Sequence, residues 1–167
     1  EMKNSTALQV TTTNATEGFK SNKATATDLK PNTRYYYSYT INGKWTKPTL
    51  YQTKNSKRYS FAFVGDPQIG ASWRCMPKDL SEDEIQDRAV RNDSFNWNNT
   101  IESIIKRDCN ISFIISSGDQ IQSRDKGKSN ALYNKNEIEY SGYLSPSLLK
   151  SMPVATTIGN HDSPSGN

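Results

Sequence analysis

The segment Tyr59-Ser60-Phe61-Ala62-Phe63-Val64-Gly65-Asp66-Pro67-Gln68 decides the fold, because it changes abruptly from hydrophobic to polar. The aromatic and β-branched residues up to Val64 predict a buried strand, and Gly65 with Pro67 predicts where it ends. Open α/β sheets bind ligands at the carboxyl ends of their strands, which is where Asp66 would lie. Taken alone, however, the segment more often indicates a strand that ends in an ordinary Gly-Asp turn.

The same pattern of a hydrophobic strand followed by glycine and a polar side chain occurs twice more. Residues 111–117 precede Gly118-Asp119, and residues 153–158 precede Gly159-Asn160-His161-Asp162. Three strands that each end in this way predict one shared site at one edge of a sheet.

The segment between the first two strands predicts two helices. Ser81-x-x-Glu84 is a capping box, which predicts a short helix over about residues 82–91. A second helix is predicted from residue 93 or 94, because four apolar residues share one helical face. These are Trp97, Ile101, Ile104 and Ile105. Strand, helix and strand in this order form a right-handed crossover, so the sheet is predicted to be parallel.

Residues 1–56 predict a separate β unit that precedes this sheet. Tyr35, Tyr37 and Tyr39 share one face of a strand predicted over residues 29–40, and we expect this aromatic stripe to lie in a core. Asn42-Gly43 predicts a tight hairpin turn. About four strands are expected, whereas a complete β-sandwich of the immunoglobulin type has about seven.

Composition and charge limit the classes of function. The 167-residue chain has 33% hydrophobic residues and a mean hydropathy of −0.83, which fits a secreted protein, a fragment that lacks part of its core, or both. Its 21 basic residues are mixed with 17 acidic ones, so nothing indicates a nucleic-acid-binding surface. No apolar run is long enough for a membrane helix, and no signal peptide is visible. We expect a secreted or cell-surface protein, and the sequence does not indicate its oligomeric state.

Cys75 and Cys109 are the only two cysteines, and neither belongs to a C-x-x-C motif. A secreted setting would permit a disulfide between them. Their spacing leaves the geometry open, so two buried or spare thiols are the default expectation.

The residue types at the three strand ends indicate metal chemistry. Hard metal ions bind carboxylate and carbonyl oxygens, and imidazole binds borderline metals. Two ions about 3.5–4 Å apart hold a phosphate between them and lower the pKa of a bound water. A carboxylate can bridge such a pair, an amide can ligate one ion without adding charge, and a nearby histidine can protonate a leaving oxygen.

Gly65-Asp66-x-Gln68, Gly118-Asp119 and Gly159-Asn160-His161-Asp162, in this order, resemble the first three motifs of the calcineurin-like metallophosphoesterases. Leu29-x-Pro31-x-Thr33-x-Tyr35 resembles the fibronectin type III signature, whose tyrosine closes a tyrosine corner. Together they are most similar to purple acid phosphatase-like bacterial proteins. The resemblance implies a mixed fold, with a partial fibronectin type III-like β-sandwich over residues 1–56. The first half of an α/β metallophosphoesterase sandwich would follow over residues 57–167.

The resemblance also implies the metal ligands of a phosphate-ester hydrolase. Asp66 would ligate the first metal, Asp119 would bridge both metals, and Asn160 would ligate the second. Gln68 stands where most of the superfamily has a ligating histidine, so it would either ligate weakly or hold a water. The expected cofactors are two divalent ions of iron, manganese or zinc, and the expected partner is a phosphate ester.

His161 and Asp162 are the catalytic residues that the resemblance implies. His161 would contact the phosphate and help the leaving group, with Asp162 as its orienting partner. The family completes its site with further histidines, but His161 is the only histidine of this chain. The remaining ligands are therefore expected beyond residue 167, in a longer parent enzyme. Gln122 stands where the purple enzymes have a tyrosine, so the first ion is expected to be divalent rather than ferric.

Two other interpretations fit the same sequence. The enzyme could be a phosphodiesterase or nucleotidase, because substrate choice lies in loops outside these motifs. Alternatively, the fibronectin-like part is a cell-surface binding module, and the phosphatase-like part has lost its activity. Absence of the downstream histidines would favour the binding module.

Overall fold

A computed structural model describes residues 4–14, 20–55, 57–122 and 135–162. Within these ranges the chain forms an all-β first unit (residues 4–55) and a second unit (residues 57–162) that contains both helices and strands. The fold is therefore mixed, as predicted. None of the described helices is both long and apolar enough to cross a membrane.

The first unit consists of three antiparallel strand pairs, β1–β2, β3–β6 and β4–β5. Its strands are β1 (Val10–Asn14), β2 (Lys20–Ala24), β3 (Arg34–Tyr37), β4 (Thr40–Ile41), β5 (Lys44–Trp45) and β6 (Thr49–Gln52). Asn42 and Gly43 join β4 to β5 with φ angles of 49° and 74°. Two left-handed residues are what a type I′ hairpin turn requires, so the predicted turn is confirmed.

Two of the three tyrosines in the aromatic stripe of the first unit are on the surface, so their prediction as core residues was wrong, whereas Tyr35 is half-buried. Tyr37 and Tyr39 are 38% and 48% exposed. The strand predicted over residues 29–40 is divided into β3 and β4, and β3 pairs with β6 in a sheet of two strands. A sheet this narrow leaves large side chains in contact with water.

The second unit contains a parallel sheet in the order β7-β8-β9. Its elements are β7 (Ser60–Val64), α1 (Glu82–Arg107), β8 (Ile111–Ser116), α2 (Lys135–Tyr143) and β9 (Val154–Thr156). Short 3₁₀ helices lie over Ala71–Cys75 and Ser147–Lys150. The predicted parallel sheet, with helical structure between its first two strands, is confirmed, and the three strands end at the same edge.

Helix α1 is one continuous helix, so the predicted division into two helices was wrong. The capping box is confirmed, because Ser81 Oγ accepts a hydrogen bond from Glu84 N and Glu84 Oε2 accepts one from Ser81 N. Asp93 was expected to start a second helix. Its carboxylate instead accepts hydrogen bonds from Gly70 N and Ser72 N, so the side chain stabilises a loop while its backbone stays helical.

Helices α1 and α2 cover one face of the sheet and form the core with it. The core cluster contains Ile69, Val90, Trp97, Ile101, Ile114 and Tyr143. The rings of Trp97 and Tyr143 stack with their centroids 5.5 Å apart, and Trp97 Nε1 donates a hydrogen bond to Tyr143 O. This contact joins α1 to the end of α2.

The opposite face of the sheet is aromatic and exposed. The rings of Phe61 and Phe113 stack with their centroids 5.4 Å apart. Phe61 is 49% exposed and Phe63 is 67% exposed. Helices thus cover one side of the sheet, whereas Phe61 and Phe63 on the other side remain exposed.

Within the described ranges, side-chain hydrogen bonds between residues far apart in the sequence join the units. Tyr37 Oη donates to Lys150 O over 2.8 Å, and Ser151 Oγ donates to Leu50 O over 2.7 Å. The β3–β6 pair therefore lies against the segment that leads into β9. Cys75 and Cys109 are both free, as the default expectation has it, and both are exposed rather than buried.

Candidate functional site

The carboxyl ends of β7, β8 and β9 lead into three loops that carry all the predicted site residues. We call them loop 1 (residues 65–70), loop 2 (residues 117–122) and loop 3 (residues 157–162). Loops 1 and 2 run side by side, since Gln68 N donates to Asp119 O over 2.9 Å. Ile69 and Ile121 continue this pairing as a parallel bridge. The parallel sheet thus extends beyond its strands into the candidate site.

Loops 2 and 3 contact each other through two glycines. A Cβ atom added to Gly118 would lie 2.6 Å from Gly159 N. A Cβ atom on Gly159 would overlap the main-chain nitrogen and the carboxylate of Asp119. Gly118 also has a φ of 107°, which side-chain-bearing residues rarely adopt. The glycines of the sequence pattern therefore permit backbone-to-backbone contact at the strand ends.

Asp119 is the carboxylate that contacts both other loops. Its Oδ1 atom accepts a hydrogen bond from His161 N over 2.8 Å, and Gln68 Nε2 lies 3.5 Å from its Oδ2 atom. Asp119 is half-buried, whereas Asp66 and Asn160 are exposed. The structure thus brings Gln68, Asp119 and His161 together at the centre of the site.

Three non-glycine residues of these loops have left-handed backbones. The φ angles are 52° for Asp66, 37° for Gln68 and 53° for Asp119. Each such residue costs about 1–3 kcal/mol, and such strain is concentrated at functional sites. The two predicted carboxylate ligands are among the residues held in this costly conformation.

The imidazole of His161 is oriented by the main chain of loop 2. Its Nδ1 atom lies 2.9 Å from Gln122 O and 3.4 Å from Gln122 Nε2. A carbonyl oxygen can only accept a hydrogen bond, so the short contact requires a proton on Nδ1. The other ring nitrogen, Nε2, is then the one available to a substrate.

Asp162 uses its carboxylate to bind main-chain groups of loops 2 and 3. Oδ1 accepts hydrogen bonds from Gln120 N over 2.9 Å and from Ile121 N over 3.3 Å. Oδ2 accepts one from Gly159 N over 2.9 Å. Its expected role as the orienting partner of His161 stays a prediction, and Gln122 O is the partner seen at Nδ1.

Loop 1 is supported from the helices by residues that were not predicted as site residues. Asp93 Oδ2 accepts hydrogen bonds from Gly70 N and Ser72 N over 2.9 Å and 3.1 Å. The buried carboxyl of Glu139 accepts a hydrogen bond from buried Gln86, and it leaves no room for a side chain at Gly70. Their place in the sequence gives no signal of this role, because it depends on how α1 and α2 dock.

Tyr140 of α2 adds a hydroxyl group near loop 3. Its partial burial, together with the negative charges of Asp162, Glu137 and Glu139, raises the pKa of Tyr140 to about 12. The hydroxyl is therefore neutral at physiological pH.

A cleft of about 420 Å³ opens on the other side of the site, between the end of β7 and α1. Asp66, Asp93 and Thr100 are among the residues that line it.

The donor atoms of the three loops are oxygen-rich and suit part of a metal site. Asp66, Asp119, Gln68 and Asn160 offer carboxylate and amide oxygens, which are ligands for hard divalent ions. Among the described residues, however, no group of three or more histidine, cysteine or acidic side chains is arranged to hold a metal ion. The described residues therefore supply suitable oxygen donors, but they do not form a metal site by themselves.

Comparisons of the chain with protein-family models, with characterised proteins and with solved structures find no match.

Proposed function

We propose that this chain contributes the first half of a binuclear metal site in a hydrolase of phosphate esters. The observation that carries the proposal is the position of Asp119. Its carboxylate receives a hydrogen bond from His161 N of loop 3 and lies beside Gln68 of loop 1. A carboxylate shared by three strand-end loops is suited to bridge two ions whose other ligands come from the outer loops.

Each site residue has a distinct role in this proposal. Asp66 and Asn160 would bind separate ions, Asp119 would bridge them, and Gln68 would ligate weakly or hold a water. When bound, iron, manganese or zinc ions supply charge stabilisation and a nucleophilic water at neutral pH.

His161 would act on the leaving group. The hydrogen bond between Nδ1–H and Gln122 O is retained whether or not Nε2 carries a proton. The ring therefore keeps its orientation while Nε2 gives its proton to the leaving oxygen.

The two domain folds that we propose are each supported by an observation in their own unit. In the first unit, Lys30 N donates a hydrogen bond to Tyr35 Oη over 2.9 Å, which is the geometry of a tyrosine corner. This supports a partial fibronectin type III-like domain over residues 1–56. In the second unit, the parallel order β7-β8-β9 supports half of a metallophosphoesterase sandwich over residues 57–167. We propose a secreted or cell-surface location.

Replacement of Asp119 by alanine tests the function. In the full-length protein supplied with Mn²⁺ or Zn²⁺, hydrolysis of an activated aryl phosphate should fall about 100-fold or more, which is roughly 3 kcal/mol of transition-state stabilisation. Asp108→Asn is the matched control. Asp108 accepts hydrogen bonds from Ser60 Oγ and Asn110 N at the opposite end of the same sheet. Unchanged turnover in Asp119→Ala would contradict the assignment.

A binding role for the first unit is the second candidate. It is favoured by the exposed aromatic side chains Trp45, which is 73% exposed, and Tyr36, which is 59% exposed. If the enzyme proposal is right, Trp45→Ala leaves hydrolysis unchanged. A full-length protein that cleaves neither phosphomonoesters nor phosphodiesters with any of the three metals would favour the binding role. Comparison of the two substrate classes also separates a monoesterase from a diesterase or nucleotidase.

A further inference from the structure

We propose that Asp162 is a positioning residue that fixes Asp119 relative to His161 by binding main-chain N–H groups of loops 2 and 3. Its importance for catalysis rests on the proposed function. The geometry itself does not, because it concerns only hydrogen bonds within the chain.

The three N–H donors of Asp162 come from both loops. Gln120 and Ile121 directly follow Asp119, and Gly159 begins the Gly-Asn-His-Asp motif. One carboxylate oxygen binds loop 2 and the other binds loop 3. Asp162 therefore joins the two segments that carry the bridging carboxylate and the histidine.

Asp119 makes the reciprocal connection. Its Oδ1 atom accepts a hydrogen bond from His161 N, so each loop supplies a carboxylate to the main chain of the other. The glycine contact between Gly118 and Gly159 sets how closely the loops approach. The carboxylates of Asp162 and Asp119 then fix how the two loops are aligned. Displacement of either carboxylate would move the side chain that the other loop presents to substrate.

The role requires a carboxylate with two acceptor oxygens. Asparagine has the same shape but only one acceptor atom, and its NH₂ group would face a main-chain N–H donor. Asp162→Asn must therefore lose the hydrogen bonds to one loop. Hydrogen bonds to a charged acceptor are also stronger than those to a neutral amide oxygen. The Gln120 side chain still joins the loops, because its Nε2 atom donates to Thr157 O. We expect the variant to fold.

The first test needs no substitution. In the 167-residue chain, NMR scalar couplings across hydrogen bonds should connect the Asp162 carboxyl carbon with the amide nitrogens of Gln120 and Gly159. Their amide protons should also exchange slowly with solvent, although both loops lie at the surface. Fast exchange of both amides, with no coupling to Asp162, would overturn the proposal.

The second test separates positioning from general stabilisation. Asp108→Asn is again the control, because Asp108 also binds one side-chain and one main-chain donor between the strands. Binding of Mn²⁺ is followed by paramagnetic broadening of the amide signals of Asp119 and His161, which detects weak binding. Asp162→Asn should weaken Mn²⁺ binding about tenfold or more, the usual effect of losing an outer-sphere partner. Asp108→Asn should leave it unchanged.

These experiments distinguish failure of the positioning role of Asp162 from failure of the proposed metal site. If the two variants weaken Mn²⁺ binding equally, Asp162 is merely structural and the proposal is wrong. If the unsubstituted chain shows the couplings but Mn²⁺ broadens neither signal in the full-length protein, the positioning geometry stands and the metal proposal fails. Asp162→Glu keeps both acceptor oxygens and should restore part of the binding lost in Asp162→Asn. Failure of that variant to restore any binding would count against the proposal.

Discussion

The two units of this chain differ in how their strands are stabilised. In the first unit, no residue among 4–14 and 20–55 is buried, and three strand pairs are held by main-chain hydrogen bonds and turns. In the second unit, two helices cover one face of a parallel sheet and enclose a cluster around Ile101 and Ile114. Burial of apolar surface is the main source of stability. The strained loops of the second unit therefore lie next to a packed core, whereas the left-handed residues of the first unit, Asp28, Asn32 and Asn42, have no buried residue beside them in the described ranges.

The largest expected effect comes from Gly118→Ala, which tests whether the site depends on backbone contact. The new Cβ would lie 2.6 Å from Gly159 N and 2.7 Å from its Cα, at a residue with φ of 107°. We expect a loss of about 3 kcal/mol or more in the free energy of unfolding, because two backbones must separate. Urea titration followed by tryptophan fluorescence measures it.

Gly43→Ala is the matched control in the first unit. Gly43 also has a positive φ, of 74°, but a Cβ there meets nothing within 4 Å. Only the cost of the left-handed backbone remains, about 1–2 kcal/mol. Equal losses in the two variants would mean that the contact between the loops is not what makes Gly118 necessary.

The second prediction concerns the core. Ile114 of β8 is fully buried, whereas Ile41 of β4 is 54% exposed. Ile114→Ala should lower the free energy of unfolding by about 2–5 kcal/mol, because apolar burial is lost and a cavity remains. Ile41→Ala should change stability by less than about 0.5 kcal/mol. Thermal unfolding of both variants tests this. A large effect of Ile41→Ala would reveal a core in the first unit that the described residues do not contain.

The sequence predicted the second unit better than the first, for physical reasons. Its strands are short hydrophobic runs bounded by glycine, and its helix has a capping box and an apolar face, all of which are local signals. The error at Asp93 has a different cause. Aspartate often precedes a helix, but Asp93 binds Gly70 N and Ser72 N from within α1. That contact exists only after α1 docks, so no local pattern could reveal it.

The candidate site was predictable in position but not in detail. Three Gly-containing strand ends predicted that loops 1, 2 and 3 meet, because parallel strands end at one edge. The main-chain partners of Asp162 depend on how closely two distant loops approach. In the first unit, an alternating aromatic pattern gave the wrong burial for Tyr37 and Tyr39, since alternation indicates a face but not what covers it.

The third prediction uses the pKa of Tyr140, which its burial and nearby acids raise to about 12. In the unfolded chain the hydroxyl ionises near its ordinary value of about 10. Below that pH both states are neutral and the stabilisation is fully present. Between pH 10 and about 12 the unfolded state binds fewer protons than the folded state, so stability falls as pH rises. After allowance for solvent screening of this partly exposed side chain, the loss is about 1 kcal/mol.

Tyr140→Phe keeps the ring and removes the ionisable hydroxyl. Its free energy of unfolding should depend less on pH between pH 10 and about 12 than that of the unsubstituted chain. Urea titrations at three or four pH values across this range provide the measurement. Parallel pH curves for the two proteins would show that Tyr140 contributes nothing to the alkaline loss.

The smallest expected effect concerns a hydrogen bond of the first unit. Tyr35→Phe removes the acceptor of the hydrogen bond from Lys30 N, whereas Tyr36→Phe alters a side chain that is 59% exposed. We expect Tyr35→Phe to lower the free energy of unfolding by about 1 kcal/mol, and Tyr36→Phe to lower it by less than about 0.5 kcal/mol.

Amide hydrogen exchange should detect the loss locally, as faster exchange at Lys30 and across the β3–β6 pair. Protection of Ile114 in β8 should stay unchanged, because the core of the second unit does not depend on this corner. If exchange at Ile114 also accelerates, the two units unfold together, and the hydrogen bonds of Tyr37 and Ser151 couple them more strongly than their burial suggests.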